Sequence, residues 1–472
     1  VVAMAGFGVA HHARLQAEQD RERAAGLVEY MLGDLTDRLE QVGRLDLLDE
    51  VGTRIQHDLA GADARSQDTR LERSRVLRQL ARIRVARGAL DEAAPLASES
   101  LALAKQVVAE QPDSADAQLA LGESHYWNGY VGFVRNETPV ALQHWNGYRE
   151  ATVRATELQP ENSKAWLEAS YALNNLGTLA RGADQNAQSL QLFQQSLQYK
   201  RRAQSLNPDD VRLRADLADS LSWVASAHDR LGQWPQARSA YDEALTVIAQ
   251  VRERAPQDAE WKHREAVLHT LRGQILSSLG EREPAHADLV AATRLLDQIG
   301  EAQPERSDWA RDRSVTHRTA GELALDVGNL PDATAHFVTA DRLLGALLDS
   351  GAEVRELPRL KIRAALGAAR LAHAAGAAAT AAQRLAQAQG YLDEMPATEK
   401  PSRRERLLRA ETSVLRAELD AAHLGAHAEQ LRQAALWLGS EEQRATDREA
   451  RDLWQRLSPL LADLQPAPPL IR

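Results

Sequence analysis

The side chains here that could do chemistry are mostly histidines, and their spacing decides what chemistry is open to them. The chain carries fourteen. His263 and His269 stand six apart, and His423 and His427 stand four apart, which places the second pair on one face of a helix. Two imidazoles without a third donor nearby make a weak zinc site, so solvated or packing roles are expected and neither a metal nor any other cofactor is assigned. No phosphate-cradling glycine loop, no His-Glu-x-x-His and no nucleophile elbow occurs in the sequence. Cysteine is absent, which removes disulfides, thiolate metal sites and a Cys nucleophile. Acidic residues alternate with arginine along the helical stretches, as on solvated helix faces, and no catalytic carboxylate stands out. What is concentrated is aromatic surface. The segment His125-Tyr-Trp-Asn-Gly-Tyr-Val-Gly-Phe133 holds Tyr126, Trp127, Tyr130 and Phe133 in a chain that is only 4% aromatic. Aromatic side chains bury much area with few rotatable bonds and so anchor contacts. Trp127 and Phe133 also admit a reading as core between repeats, and Trp234, beside Gly232 and before Pro235, reads as a turn-packing residue.

The elements that must position these groups are helices. Ala, Leu, Arg, Gln and Glu dominate the 472 residues, and unbranched side chains keep their rotamer freedom in a helix whereas strands favour branched and aromatic ones. A formal charge of −10 lacks the electrostatic footprint of a nucleic-acid binder. Residues 1–10 are uniformly apolar, about half of the ~20 that a membrane-spanning helix needs, and are expected to be the end of a truncated transmembrane or apolar helix. Just beyond, Arg14, Arg21 and Arg23 are balanced by Glu18, Asp20 and Glu22, so the side of the membrane is not set.

A fixed period runs through the middle of the chain. Pro112, Pro160, Pro208, Pro256 and Pro304 are each 48 residues apart. The same step links Gly88, Asn136, Asp184, Gly232, Gly280, Gly328 and Gly376, residue types that tolerate the left-handed conformation at helix ends. Five residues after each stands a small one (Ala93, Ala141, Ser189, Ala237, Ala285, Ala333, Ala381). Four further on comes a mostly large apolar one (Ala97, Trp145, Phe193, Tyr241, Leu289, Phe337, Leu385), then three later Ser100, Tyr148, Ser196, Ala244, Ala292, Ala340 and Ala388. Seven before each turn the residue is again small: Ala81, Gly129, Gly177, Ala225, Gly273, Gly321, Ala369. These spacings describe a helix-turn-helix unit with helices of about 20 residues, touching where small residues let the backbones approach and one bulky residue fills the gap. Asp209, Asp258 and Asp308 suit the first turns after the prolines, where a carboxylate meets the positive helix end.

The pattern resembles the tetratricopeptide repeat, seen best in Leu176-Gly177 and in Leu231-Gly232, Ala237, Tyr241, Ala244 and Pro256. Seven in-phase copies cover about residues 65–400, each longer than the usual unit of about 34 residues. The resemblance implies an all-α, right-handed superhelical solenoid of antiparallel helix pairs with about seven to eight repeats. The organisation expected is residues 1–10 as the apolar helix end, 11–60 as juxtamembrane helices capping the array, 61–400 as the array, and 401–472 as two or three atypical capping helices and a tail.

The resemblance also implies that the first helix of each unit lines a concave, partner-binding face. The positions that match are Arg78 and Arg82, Tyr126 and Tyr130, Asn174 and Thr178, Ser222 and Ser226, Thr270 and Gln274, and Arg318 and Glu322. Arg78 and Arg82 read either as a solvated face or as guanidinium forks for an acidic group. Tyr126 and Tyr130 are the stronger contact candidates, and Asn174 with Asn175 suits an extended peptide backbone. The Lys/Asn clamp that one branch of the family uses for a C-terminal carboxylate is missing. The function expected is a non-catalytic protein- or peptide-binding scaffold, the sensor or interaction region of a membrane-anchored bacterial signalling protein with its array outside the bilayer. The alternative is the regulatory C-terminal region of a serine/threonine kinase or similar effector enzyme. Expected partners are a protein or peptide, no nucleic acid, a membrane only through residues 1–10, and possible self-association through Ala-rich stretches such as 365–390.

Overall fold

The computed structural model describes residues 67–350, 357–395 and 401–464. The expected apolar helix at 1–10 and the capping helices at 11–60 lie outside the described residues. Two compact units divide the chain at Asp210 and Val211. In the first, α1 (Gln67–Ala86) pairs with α2 (Leu90–Glu110), α3 (Ala115–Val134) with α4 (Thr138–Leu158), and α5 (Ser163–Gly182) with α6 (Asn186–Leu206). In the second, the pairs are α7 (Val211–Arg230) with α8 (Trp234–Arg254), α9 (Ala259–Ser278) with α10 (Arg282–Ala302), α11 (Ser307–Asp326) with α12 (Leu330–Asp349), and α13 (Leu357–Ala374) with α14 (Ala378–Asp393). Four more helices complete that unit: α15 (Arg403–Leu419), α16 (Ala428–Leu438), α17 (Glu441–Thr446) and α18 (Arg448–Asp463). No strand occurs among the described residues. No helix among them is long and apolar enough to cross a membrane.

The turns are set by the residue types that the period marks. Gly88, Asn136, Asp184, Gly232, Gly280, Gly328 and Gly376 all have positive φ, between 57° and 80°. Asn136 and Asp184 are the non-glycine members, and their short polar side chains tolerate a conformation that costs most L-residues about 1–2 kcal/mol. In the loops that hold the prolines, the next helix is started by a cap: Ser114 accepts from the Ala117 N–H, Asn162 from that of Ala165, and Asp258 from those of Glu260 and Trp261. Asp308 lies in the first turn of α11. Asp209 instead precedes α7, in the turn itself.

Pairing within a unit rests on the small and large positions. The small residues five after each turn are all buried, and so are Trp145, Phe193, Tyr241, Leu289, Phe337 and Leu385 four further on. A Cβ on Gly129 would lie 2.4 Å from Trp145 Cδ1, and one on Gly177 would lie 2.6 Å from Phe193 Cε1. Each bulky ring therefore occupies the space that the opposite glycine leaves, which is how two 20-residue helices come into backbone contact.

The end of the second unit departs from the period. The expectation of two or three helices becomes four, because Gly439 turns the chain at φ 81° and Ser440 forms a capping box with Gln443 that starts another helix. His423 and His427 also do not share a regular helical face: His423 is non-helical (φ −118°, ψ 35°), within the 3-10 stretch Ala421–His427. Both rings turn to one carboxylate, His423 Nδ1 at 2.8 Å and His427 Nε2 at 3.0 Å from Asp420.

Candidate functional site

In the first unit α1, α3 and α5 bring most of the expected contact residues to one face. Tyr126 and Tyr130, one helical turn apart on α3, stack with ring centroids 5.8 Å apart and planes 25° from parallel. Trp127 meets Tyr126 and Tyr130 edge-on at 5.1 and 5.7 Å. Beneath them lie the buried Trp145 and Tyr148 of α4, with Phe133 and Tyr171 packed alongside. The Trp145 indole N–H donates to the Tyr126 carbonyl at 3.3 Å, and the Lys200 ammonium sits 4.7 Å from the Tyr171 ring. Phe133 is half-buried, 5.4 Å from Trp145, and Trp127 is half-buried as well.

Charge is built into the same face. Arg78 is 6% exposed and pairs with Glu123, which also receives Lys164 at 2.8 Å. Arg78 does hold an acidic group, but that group belongs to the chain: its other nitrogen donates to the hydroxyls of Ser74 and Ser124 at 3.1 and 3.4 Å. Arg82 lies one turn further along α1, half-buried. The Tyr148 hydroxyl donates to Glu168. Burial above all, and then the charge of Glu123, raises the Glu168 carboxyl to about 7. Burial, Tyr130 and Glu168 together raise the Tyr126 hydroxyl to about 12. The face therefore offers neutral aromatic hydroxyls and a carboxyl close to half-protonated at neutral pH.

Asn174 and Asn175 follow on α5. Their Asn174 Oδ1 and Asn175 Nδ2 atoms are buried with no hydrogen-bond partner, one an acceptor and one a donor. The Thr178 hydroxyl is spent on the Asn174 carbonyl at 2.9 Å. Ser222 is half-buried on α7, in the second unit. In that unit Thr270 is buried and bonded to Thr316 at 2.9 Å, and Arg318 pairs with Glu322 on its own helix.

Glu123, Tyr148, Lys164, Glu168 and Tyr171 were missed in the sequence. Tyr148 carried a signal: every other copy has Ser or Ala at that step of the period. The space for its ring comes from Gly122, where a Cβ would already lie 3.2 Å from Tyr148 Cδ2 and 2.7 Å from Thr152 Cγ2.

The face also has a pH response. The rings of His125 and His144 meet Nδ1 to Nδ1 at 3.1 Å. Burial first, then the charges of His144 and Lys105, lowers His125 from 6.5 to about 4. The unfolded chain takes up this proton at a higher pH than the folded unit does, so stability is lost as pH falls from about 6.5 to 4. Glu168 acts oppositely, because the folded unit keeps a proton that the unfolded chain releases above 4.5. Glu168→Gln is therefore expected to steepen the loss of stability between pH 6.5 and 4.5. Urea midpoints at several pH values check it, and parallel profiles for the two proteins would count against the assignment.

Likenesses among known structures concern this fold. RapI in its apo form matches 91% of this chain and 99% of its own, with a TM-score of 0.52 at 14% identity. A Rap protein complexed with competence and sporulation factor matches 93% of this chain and 100% of its own, with a TM-score of 0.46 at 13% identity. TTC0263, a thermophilic TPR protein of Thermus thermophilus, matches 51% of this chain and 98% of its own, with a TM-score of 0.32 at 18% identity. No protein-family description matches the chain. No curated protein matches it in sequence. The chain is an all-α solenoid of TPR-like helical repeats.

Proposed function

We propose that the chain is a non-catalytic scaffold that binds an extended protein segment on the first-helix face of its first unit. The observation that carries this is the half-buried Tyr126–Trp127–Tyr130 stack, raised on a buried aromatic floor in a chain that is 4% aromatic. Large rigid rings give contact area at small entropic cost, which is what interface anchors need. On α5 the Asn174 Oδ1 and Asn175 Nδ2 atoms are shielded and unmatched in the chain, so a peptide backbone pairs with them only once these side chains turn outward. The net charge of −10 supports a protein partner over a nucleic acid. The apolar residues 1–10 support a finer reading in which that segment contacts a membrane.

The test is an affinity pull-down with the full chain and with Tyr126→Ala/Tyr130→Ala. Partners held by the native face are expected to be lost from the variant by tenfold or more, while its helical circular dichroism is retained. A partner recovered equally by both proteins moves the site elsewhere.

A further inference from the structure

At one end of the second unit, the chain itself touches the first-helix face. Helix α18 seats Ala450, Leu453 and Leu457 among Leu407 and Val414 of α15 and Leu431 and Leu438 of α16. Its first turn then reaches back some 174 residues to the earlier pairs. Arg448 donates to the Gln274 carbonyl at 3.1 Å and to its side-chain oxygen at 3.3 Å, both on α9. Arg451 reaches the Ser278 carbonyl at 3.5 Å and lies 4.2 Å over the Trp234 ring. Glu449 pairs with Arg363 of α13 at 2.7 Å and with Arg403 of α15 at 3.2 Å. Just before the helix, the Thr446 backbone closes on Gly232 so tightly that a Cβ there would come within 2.7 Å of it.

The period gives these contacts a meaning. Gln274 stands three whole units after Tyr130, and Arg363 stands five after Glu123. Helix α18 therefore touches, in the second unit, the same steps of the repeat that carry the aromatic and acidic groups of the first. Its seating is also incomplete. The Arg448 Nε atom is buried without a hydrogen-bond partner, and burial raises the Asp229 carboxyl in spite of Arg448 and Arg403 beside it. An unmatched buried donor is a penalty that a better-fitted ligand does not carry. Gly439, at φ 81°, supplies the bend on which the segment turns.

We propose that α15 and α16, together with the part of the first-helix face that holds Gln274 and the neighbouring Trp234, form a groove for an amphipathic helix headed by arginines, that α18 occupies it as a resident ligand, and that a partner helix of the same chemistry binds by displacing it. The guanidinium groups are the recognition element: a planar cation stacks on Trp234 and forks onto Gln274, which a lysine does not reproduce. The site uses none of the tyrosines of the first unit and stands whether or not they bind.

The test uses the full chain and a labelled synthetic peptide of residues 439–464, read by fluorescence anisotropy. A tethered helix competes at an effective concentration of roughly millimolar, so the native chain is expected to bind the peptide weakly. Arg448→Ala/Arg451→Ala/Leu453→Ala/Leu457→Ala frees the groove and is expected to bind it at least tenfold more tightly. Adding Trp234→Ala and Gln274→Ala is expected to remove that gain, while adding Tyr126→Ala/Tyr130→Ala leaves it. Equal binding by the native and freed chains, or a gain insensitive to Trp234 and Gln274, overturns the proposal. Should the freed variant fail to fold, hydrogen exchange on the native chain decides: excess peptide is expected to quicken exchange of the α18 amides, and unchanged exchange overturns it. A native mass that doubles with concentration in light scattering identifies the occupant as a second copy and overturns the assignment to a partner.

Discussion

Gly129→Val is expected to destabilise the first unit by about 3 kcal/mol, the upper end of what overpacking a well-filled site costs. The added Cβ alone would come within 2.4 Å of Trp145 Cδ1 and 2.5 Å of its Nε1. The ring has little room to yield, because it is 2% exposed, bonded to the Tyr126 carbonyl and packed on Phe133. Helices α3 and α4 must separate, which loosens the floor under Tyr126 and Tyr130 as well. Gly182→Ala is the control: nothing lies within 4 Å of its Cβ position, so a change within about 0.5 kcal/mol is expected. Trp145→Ala in the Gly129→Val background should cost less than the two single changes added together, since losing the ring relieves the clash that valine makes and valine fills part of the cavity that the ring leaves. Urea unfolding of the four proteins measures this, and strict additivity would remove the small-to-large contact as the origin of pairing.

Arg78→Ala is expected to cost about 3 kcal/mol, as breaking one side of a buried ion pair does. The change leaves Glu123 with Lys164 at 2.8 Å and the more distant charge of Arg75 to answer it, and takes from Ser74 and Ser124 the guanidinium that donates to them. Arg78 is one of the charges that hold the Glu168 carboxyl down, so its loss should also raise that group further. Replacing both partners with apolar residues, as Arg78→Met/Glu123→Leu, is expected to recover most of the stability, because neither desolvated charge is then left alone. Thermal unfolding of the single and double variants checks the order. A single variant as stable as the native chain would mean that the pair is solvated in solution.

Much of the fold was legible because it repeats. Seven turn residues and seven small positions, read only from a common spacing, are the residues with positive φ and the residues that touch across each pair. Repetition averages away the accidents that make a single turn hard to read. The tyrosines of the candidate face and Asn174 were named at positions that the tetratricopeptide resemblance implies, and Asn175 as the neighbour of Asn174. Glu123 and Glu168 did not, because their importance depends on burial and on each other: along the chain they are two acids among 67. Neither reading of Arg78, a solvated face or a fork for an acidic group, pointed to Glu123, which lies 45 residues away and in no regular pattern. Helices were expected between 401 and 472, but the contacts of α18 were not legible. Its contacts join residues 174 apart, and no period links a resident segment to the groove it fills.

The loops around the prolines are near copies of one another, and three of the five enter a first helix capped by a side chain, that of Ser114, Asn162 or Asp258. Joining Pro112 directly to Glu161 would take out one 48-residue copy and still leave Asn162 to cap the following helix as it does now. Copy number in such a chain is free to drift in whole units, whereas any other insertion throws every later small and large position out of step. Gain or loss of recognition can then occur by cassette: the excised copy would carry away Tyr126, Trp127, Tyr130 and Tyr148 together, and with them the aromatic character of the face.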